Sequence, residues 1–176
     1  MTNYYRSDVV EAIVSHALPD WEWCAGDWAA YDFKYPGNGT GDIRLEVKQT
    51  SALQSWQSSL PSRAAWDLAA RAGYFEGVKW TSSAGRNADI YILAAHRERD
   101  RVLADHRNPV QWHFYVFATH LLPEQKSIAE SVVLKMKLAS AVNFESLGTE
   151  VEKLRLEIVQ RRCHEPRNPT DASMPS

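Results

Sequence analysis

A strict alternation of charged and apolar residues runs through one short stretch of the chain, Asp42-Ile43-Arg44-Leu45-Glu46-Val47-Lys48. Successive side chains of an extended strand point to opposite faces, so the three apolar residues share one face and the charged residues share the other. A turn rich in glycine precedes it, Pro36-Gly37-Asn38-Gly39-Thr40-Gly41. The stretch therefore predicts a half-buried strand that is entered from a hairpin turn.

The segments on either side of this strand predict helices and further strands. Apolar residues at helical spacing predict a helix over 7–18, capped by Ser7 or Asp8, and another over 144–162. Weaker patterns favour helices at 62–75 and 123–141. Strands are expected at 21–35, with a turn at Ala25-Gly26-Asp27, at 88–95 and at 111–119. This order predicts a single α/β or α+β domain with a mixed sheet.

Composition limits the class of protein. The chain has 176 residues, of which 44% are hydrophobic and 24% charged, and its formal net charge is −2, which excludes a polycation that coats nucleic acid. The two cysteines are too few for a disulfide scaffold, and no apolar run is long enough to span a bilayer. We expect a cytoplasmic protein with one domain over 1–163, an insert at 51–87 between core strands, and a disordered tail at 164–176.

One group of residues in and beside the predicted strand has the composition of a metal site. Glu46 and Lys48 lie two positions apart, so their side chains project from the same face, about 6.6 Å apart. Asp32 precedes the turn and meets Glu46 if the two flanking strands pair antiparallel. Carboxylates, waters and phosphate oxygens are the ligands that Mg²⁺ commonly takes. The three residues therefore indicate a Mg²⁺ site for phosphate chemistry, in which the lysine stands beside the reacting water or oxygen.

The acid-x-Lys pattern alone is not specific. It occurs three times, at Asp32-x-Lys34, Glu46-x-Lys48 and Glu124-x-Lys126. Only the second lies inside a clean alternating strand that follows a turn and an acid. The alternative interpretation of the charged residues in this strand is a solvated face of the sheet.

The wider sequence resembles the PD-(D/E)xK nuclease superfamily. Tyr31-Asp32-Phe33, the glycine-rich turn and Ile43-Arg44-Leu45-Glu46-Val47-Lys48-Gln49-Thr50 look like its two core motifs. The segment Ser7-Asp8-Val9-Val10-Glu11-Ala12-Ile13 is similar to the opening helix of archaeal Holliday-junction resolvases. The strands expected at 88–95 and 112–118 agree with the fourth and fifth strands of the family's core, and Gln125-Lys126-Ser127-Ile128 resembles the final segment of uncharacterised bacterial members. Gln49, between the lysine and Thr50, departs from the pattern of many members. The resemblance implies a restriction-endonuclease-like core, a mixed central β-sheet flanked by helices.

The resemblance also implies roles for individual residues. Asp32 and Glu46 would hold Mg²⁺, for which Mn²⁺ can substitute, with the carbonyl of Val47 as a further ligand and Glu11 as an outer carboxylate. Lys48 would orient or activate the attacking water. The predicted activity is Mg²⁺-dependent hydrolysis of DNA phosphodiester bonds by a homodimer, with no membrane partner and no organic cofactor. A catalytically inactive nucleic-acid-binding or protein-interaction module on the same fold is the alternative.

Other residues are candidates for supporting roles. Gln49 and Arg44 are candidates to contact bound substrate or water, and Asp42 is an alternative ligand to Asp32 or simply a turn residue. Three of the seven tryptophans fall in the 51–87 insert, where an aromatic ring can stack on a base, anchor a dimer or pack in the core. Arg71 is among the arginines expected on the face of the site. The candidates for nucleic-acid or interface contacts are Trp56, Arg63, Trp66, Lys79 and Arg86.

Overall fold

A computed structural model describes residues 3–24, 30–37, 41–54, 62–76, 78–136 and 139–164 of the chain. The helices are α1 (Asn3–Ala17), α2 (Glu130–Lys135) and α3 (Phe144–His164). The strands are β1 (Glu22–Trp23), β2 (Phe33–Tyr35), β3 (Ile43–Ser51), β4 (Ala65–Asp67), β5 (Arg71–Glu76), β6 (Lys79–Gly85), β7 (Ile90–His96), β8 (Trp112–Ala118) and β9 (Ser127–Ala129). Short 3-10 turns lie at Pro109–Gln111 and Thr119–Leu121. No helix in these ranges is long and apolar enough to cross a membrane.

A five-stranded mixed sheet in the order β1-β2-β3-β7-β8 forms the centre of the fold. The neighbours β1, β2 and β3 pair antiparallel, β3 and β7 pair parallel, and β7 and β8 pair antiparallel. The protein is therefore a mixed α/β structure with helices flanking its central sheet, as the sequence predicts. The chain between the parallel strands β3 and β7 contains β4 and the β5–β6 hairpin, which belong to separate two-stranded sheets.

Each face of the central sheet has its own hydrophobic core. The first core joins the apolar face of β3 to α1 and α3 through Leu45, Val10 and Val151. The second lies on the opposite face, where Tyr91 and Leu93 of β7 pack with residues of β4, β9 and α2. Burial on both faces explains why β7 reads as an unbroken apolar run, whereas β3 keeps a polar row on the second face.

The expected helix over 62–75 is wrong, because β4 and β5 occupy that part of the chain. Trp66 determines the local structure: its side chain is buried in the second core, and its Nε1–H donates to the carbonyl of Ala94 at 2.9 Å. Ala65 and Asp67, on either side of Trp66, are exposed, and this alternation of exposed and buried residues is typical of a strand. Antiparallel pairing of β4 with β9 then satisfies the backbone.

Three further expectations about secondary structure need correction. Of the helix expected over 123–141, only α2 is helical, and β9 precedes it. The first helix begins before Ser7, so neither Ser7 nor Asp8 caps it. β3 extends to Ser51 because Thr50 and Ser51 pair with Ala95 and His96 of β7. The turn expected at 25–27, residues 38–40 of the turn expected at 36–41, and the tail after His164 lie outside the described residues.

Candidate active site

Asp32 lies at the start of β2, directly beside the middle of β3. Its backbone N–H donates to the carbonyl of Leu45 at 2.9 Å, which continues the antiparallel ladder between the two strands. Its side-chain Oδ2 accepts a hydrogen bond from the N–H of Val47 at 2.6 Å. The carboxylate is therefore fixed against β3, and within the described ranges its other oxygen, Oδ1, accepts no hydrogen bond.

Glu46 and Lys48 lie on one face of β3, as their spacing predicts. The Lys48 ammonium pairs with Oε1 of Glu46. The same oxygen accepts a hydrogen bond from Nη2 of Arg71, at the root of the β5–β6 hairpin, at 3.3 Å. Glu46 is only 3% exposed, which excludes the solvated sheet face as an interpretation of this residue. A carboxylate so deeply buried requires cations beside it.

Glu11, on α1, lies near enough to Asp32 for its charge to contribute to raising the pKa of that residue, after burial and the charge of Glu46. Its Oε1 accepts from the hydroxyl of Ser7, one turn earlier in α1, at 3.3 Å. Its Oε2 accepts from the indole N–H of Trp23 in β1 at 3.1 Å. These two donors orient the carboxylate. Burial raises the pKa of Glu11 above its ordinary value, the two hydrogen bonds oppose that effect, and the charges of Asp8 and Glu46 add smaller increases.

The three carboxylates repel one another. Burial, followed by the negative charges of Glu46 and Glu11, raises the pKa of Asp32 to about 8. The N–H of Val47 and the charge of Lys48 act in the opposite direction and are the smaller effects. Tyr91 lies opposite Glu46 in the register of β7, and burial together with that carboxylate raises its pKa to about 12. A cation bound at Asp32 would act against these effects and favour the ionised form of its carboxylate.

The donor set suits a hard divalent cation. Carboxylate oxygens of Asp32 and Glu46 are of the type that Mg²⁺ binds. The N–H and the C=O of one strand residue point to the same edge of the strand. Because the N–H of Val47 donates to Asp32, the carbonyl of Val47 faces the same edge as Asp32. Within the described ranges, no group of three or more His, Cys, Asp or Glu side chains is already gathered at metal-binding distances. Lys48 and Arg71 hold Glu46 in this arrangement.

The candidates for supporting roles are spread over different surfaces. Asp42 is exposed and its Oδ1 accepts from the N–H of Gly37 at 3.2 Å, which is the bonding of a turn residue. The guanidinium of Arg44 lies over the ring of Tyr31, 5.0 Å from its centroid. Gln49 pairs with Ala94, so it lies on the sheet face opposite Glu46 and Lys48.

The insert residues proposed for nucleic-acid contacts also differ in their surroundings. Trp66 is 1% exposed, so the expectation that it meets nucleic acid or a partner is wrong, because its ring is enclosed in the second core. Arg63 and Lys79 are exposed. Trp56 lies outside the described residues.

Arg86 forms hydrogen bonds with the protein's own backbone. Its guanidinium donates to the carbonyls of Leu68 at 3.1 Å, Leu122 at 3.2 Å, Pro123 at 2.6 Å and Gln125 at 3.2 Å. These acceptors belong to the segments after β4 and before β9. Arg86 therefore connects the loop before β7 to two distant parts of the chain.

We expect Arg86→Ala to lower the free energy of unfolding by about 1–3 kcal/mol, because it leaves part-buried carbonyls without donors. Urea unfolding at equilibrium measures the change. Arg63→Ala is the control, since Arg63 is exposed and its replacement should change stability by no more than about 0.5 kcal/mol. Equal stability of the two variants would contradict this role of Arg86.

Sequence reasoning did not identify the roles of Trp23 and Tyr91. Trp23 orients Glu11 from β1, and Tyr91 faces Glu46 from β7. Only the pairing register of distant segments brings them to the site, so no local pattern marks them. In the sequence, these two aromatic residues indicate only strands, because aromatic side chains favour strand conformation.

Known proteins provide no close comparison. A scan against protein-family models gives no match, and neither a search of curated proteins nor a search of solved structures finds a similar protein.

Proposed function

We propose that this protein is a Mg²⁺-dependent DNA endonuclease that hydrolyses phosphodiester bonds. The observation that carries the proposal is the arrangement of Asp32, Glu46 and Lys48: the Asp32 carboxylate accepts from the N–H of Val47, and the residues on either side of Val47 pair with each other on one face of β3. Burial, followed by the charges of Glu46 and Glu11, raises the pKa of Asp32 to about 8. Two carboxylates and a lysine on neighbouring strands, with a third carboxylate on α1 that affects the pKa of Asp32, have the chemistry of a metal site for phosphate groups.

A restriction-endonuclease-like core of the PD-(D/E)xK superfamily is the fold that we propose for this arrangement. Support comes from the antiparallel pairing of β2 and β3, the opening helix that carries Glu11, and a mixed sheet with helices on it. The insert between β3 and β7 would then be an elaboration of that core.

The residues divide into those that hold the ion and those that act on the substrate. Asp32 and Glu46 would bind Mg²⁺ together with the carbonyl of Val47, and Glu11 would act as an outer carboxylate. The ion supplies charge that polarises the phosphoryl group and lowers the pKa of a bound water. Lys48 places an ammonium beside these carboxylates, where it orients the attacking water and offsets the negative charge that develops on the phosphate.

DNA is the proposed substrate, and two copies of the chain would be needed to cut both strands together. The net charge of −2 means that contacts with phosphate must be local. Exposed Arg63 and Lys79 are candidates for such contacts, on either side of the β5 strand that brings Arg71 to Glu46.

Nicking of supercoiled plasmid tests the proposal. The purified chain should convert supercoiled plasmid to the open-circular form with Mg²⁺ or Mn²⁺, and EDTA should stop the reaction. Glu46→Gln removes the charge of one proposed ligand while keeping its shape, so nicking should fall by at least about 100-fold. No metal-dependent nicking by the wild-type chain on any DNA substrate would reject the proposal.

The alternative is a catalytically inactive nucleic-acid-binding or protein-interaction module on the same fold. One observation favours it: Lys48 and Arg71 both pair with Glu46, so that buried carboxylate already has cationic partners from the protein. In such a module, Glu46→Gln would weaken the fold without changing any metal affinity. A metal titration of the wild type and the Gln variant separates the two functions.

A further inference from the structure

The β5–β6 hairpin is anchored at the candidate active site. Within the described ranges its two strands pair only with each other and form a separate two-stranded sheet. The root of the hairpin reaches the site, because Nη2 of Arg71 donates to Oε1 of Glu46 at 3.3 Å. The hairpin therefore begins beside the polar face of β3, on which Glu46 and Lys48 lie.

One face of the hairpin carries both Arg71 and Trp80. Alternate residues of a strand share a face, so Arg71, Gly73 and Phe75 lie on the same side of β5. The pairing irregularity between Arg71 and Gly73 has its extra residue in β6, so the alternation in β5 is unchanged. Trp80 pairs directly with Phe75, and cross-strand partners project from the same face. Trp80 therefore shares its face with the arginine that contacts Glu46, about 13 Å farther along the hairpin.

The indole of Trp80 is held on one side and open on the other. Its ring meets that of Phe75 edge-on, with centroids 5.0 Å apart and planes at 68°. Gly73 allows the ring to cross the neighbouring strand, since a Cβ at that position would lie 2.7 Å from Cζ2 of the indole. Trp80 nevertheless stays 51% exposed, whereas Trp66 is 1% exposed. An aromatic ring that is fixed and half exposed can stack on an unpaired base.

Basic side chains accompany the acids on the polar face of β3. Arg44 shares this face with Glu46 and Lys48. The guanidinium of Arg44 lies over the ring of Tyr31 and has no ion pair within the described ranges. Lys48 and Arg71 both pair with the buried carboxylate of Glu46. These three bases balance the three carboxylates of the candidate site, so the proposed Mg²⁺ would make the face positive and attract a polyanion.

We propose that Trp80 stacks on an unpaired base of the DNA strand that enters the candidate active site, so that the enzyme prefers substrates with unpaired nucleotides beside the bond that is cut. The inference rests on the proposed nuclease function for the cleavage, whereas the stacking depends only on the hairpin. A paired base already has both faces in the stack, and extruding it costs free energy that an unpaired base does not require. Stacking tolerates any base, so the hairpin selects strand structure rather than base sequence.

Binding of phosphorothioate DNA, which resists hydrolysis, tests the stacking apart from cleavage. In Mg²⁺, the full chain should bind a short single strand more tightly than the fully paired duplex of the same sequence. A fluorescent adenine analogue in the single strand should lose emission on binding, because its base stacks on the indole. Binding of the single strand by the wild type without this loss, or equal affinity for the single strand and the duplex, would overturn the inference.

Trp80→Leu removes the aromatic face but keeps an apolar side chain over Gly73. It should weaken binding of the single strand about tenfold, the effect of losing one stacked base, and leave binding of the duplex unchanged. Thr81→Ala is the matched control, because Thr81 is next to Trp80 and projects from the opposite face of the hairpin. Thermal unfolding checks that both variants are folded. Equal affinity of wild type and Trp80→Leu for the single strand would contradict the stacking.

Sedimentation velocity tests a protein partner as the occupant of the same face. A second copy of the chain seated on Trp80 would form a dimer that Trp80→Leu dissociates without changing the affinity for the single strand. That result would overturn the inference. We expect wild type and Trp80→Leu to have the same sedimentation coefficient at the same concentration.

Cleavage kinetics distinguish this inference from the proposed function. For an ordinary phosphodiester duplex with a single-stranded overhang, Trp80→Leu should raise the KM about tenfold with kcat unchanged, and Thr81→Ala should change neither. Active enzyme whose KM does not respond to Trp80→Leu would overturn the inference and leave the proposed function intact. Binding of the single strand that depends on Trp80, with no cleavage by the wild type, would reject the proposed function and leave the stacking site intact.

Discussion

Replacing Lys48 by alanine is expected to slow metal-dependent nicking by roughly 100- to 1,000-fold, the usual effect of removing one group that stabilises transition-state charge. The ammonium of Lys48 is paired with Glu46, so it stands beside the oxygens on which charge develops in the proposed reaction. Metal binding should persist and become tighter, because the ammonium no longer competes with the ion for Glu46. Single-turnover nicking at saturating Mn²⁺, together with a Mn²⁺ titration, measures both effects.

Lys34→Ala is the matched control for this experiment. Lys34 belongs to the same acid-x-Lys pattern, but its ammonium pairs with Glu22 at 3.0 Å on β1. Its removal should leave nicking within about twofold of the wild type, since exposed ion pairs contribute little energy. Thermal unfolding of both variants checks that they are folded. A folded Lys48→Ala variant that nicks at the wild-type rate would contradict the assigned role.

Asp32→Asn is expected to abolish nicking and yet to stabilise the metal-free protein at alkaline pH. The pKa of Asp32 rises from an ordinary 3.8 to about 8 on folding, chiefly through burial and the charges of Glu46 and Glu11. Between about pH 4 and pH 8 the folded state therefore binds more protons than the unfolded state, and its stability falls as pH rises. Asparagine does not titrate, so the stability of the Asn variant does not fall in this way as pH rises. At pH 8 in EDTA its free energy of unfolding should exceed that of the wild type by roughly 1–3 kcal/mol.

Mg²⁺ should act on the two proteins differently. It stabilises wild type at pH 8 by binding the ionised carboxylates of the folded state, and it should have little effect on Asp32→Asn. Asp20→Asn, at an exposed aspartate, is the control and should follow the wild type at every pH. Urea unfolding from pH 5 to pH 8.5, with and without Mg²⁺, gives the comparison. An Asn variant less stable than wild type at pH 8 would contradict the repulsion among these acids.

The sequence predicts those parts of the fold whose local pattern agrees with their final environment. β3, β7, β8 and α3 lie where their periodicity places them. Residues 62–75 were expected to be helical because their spacing suits either structure, and the choice depends on β9, about sixty residues later in the chain. Trp66 shows the difficulty: an apolar residue every few positions does not reveal that its ring fills a core beneath the sheet.

The residues of the candidate site also divide into those that a local sequence pattern predicts and those that only tertiary packing places. Asp32, Glu46 and Lys48 are recognisable because a turn connects two adjacent strands, so a short stretch of sequence contains their geometry. Glu11 came from a resemblance and could not be derived from spacing. The contacts of Arg71 with Glu46 and of Trp23 with Glu11 depend on how distant segments pack, and so does the position of Tyr91 opposite Glu46. Tertiary packing, rather than propensity, determines these positions.

Anomalous diffraction from crystals soaked in Mn²⁺ tests the central claim most directly. We predict one anomalous peak bounded by Oδ1 of Asp32, the carboxylate of Glu46 and the carbonyl of Val47, with Lys48 displaced from Glu46 toward the ion's waters. The peak should disappear in crystals of Asp32→Asn. Wild-type crystals with no anomalous peak at these residues, and with Lys48 and Arg71 still paired with Glu46 at saturating Mn²⁺, would contradict the account.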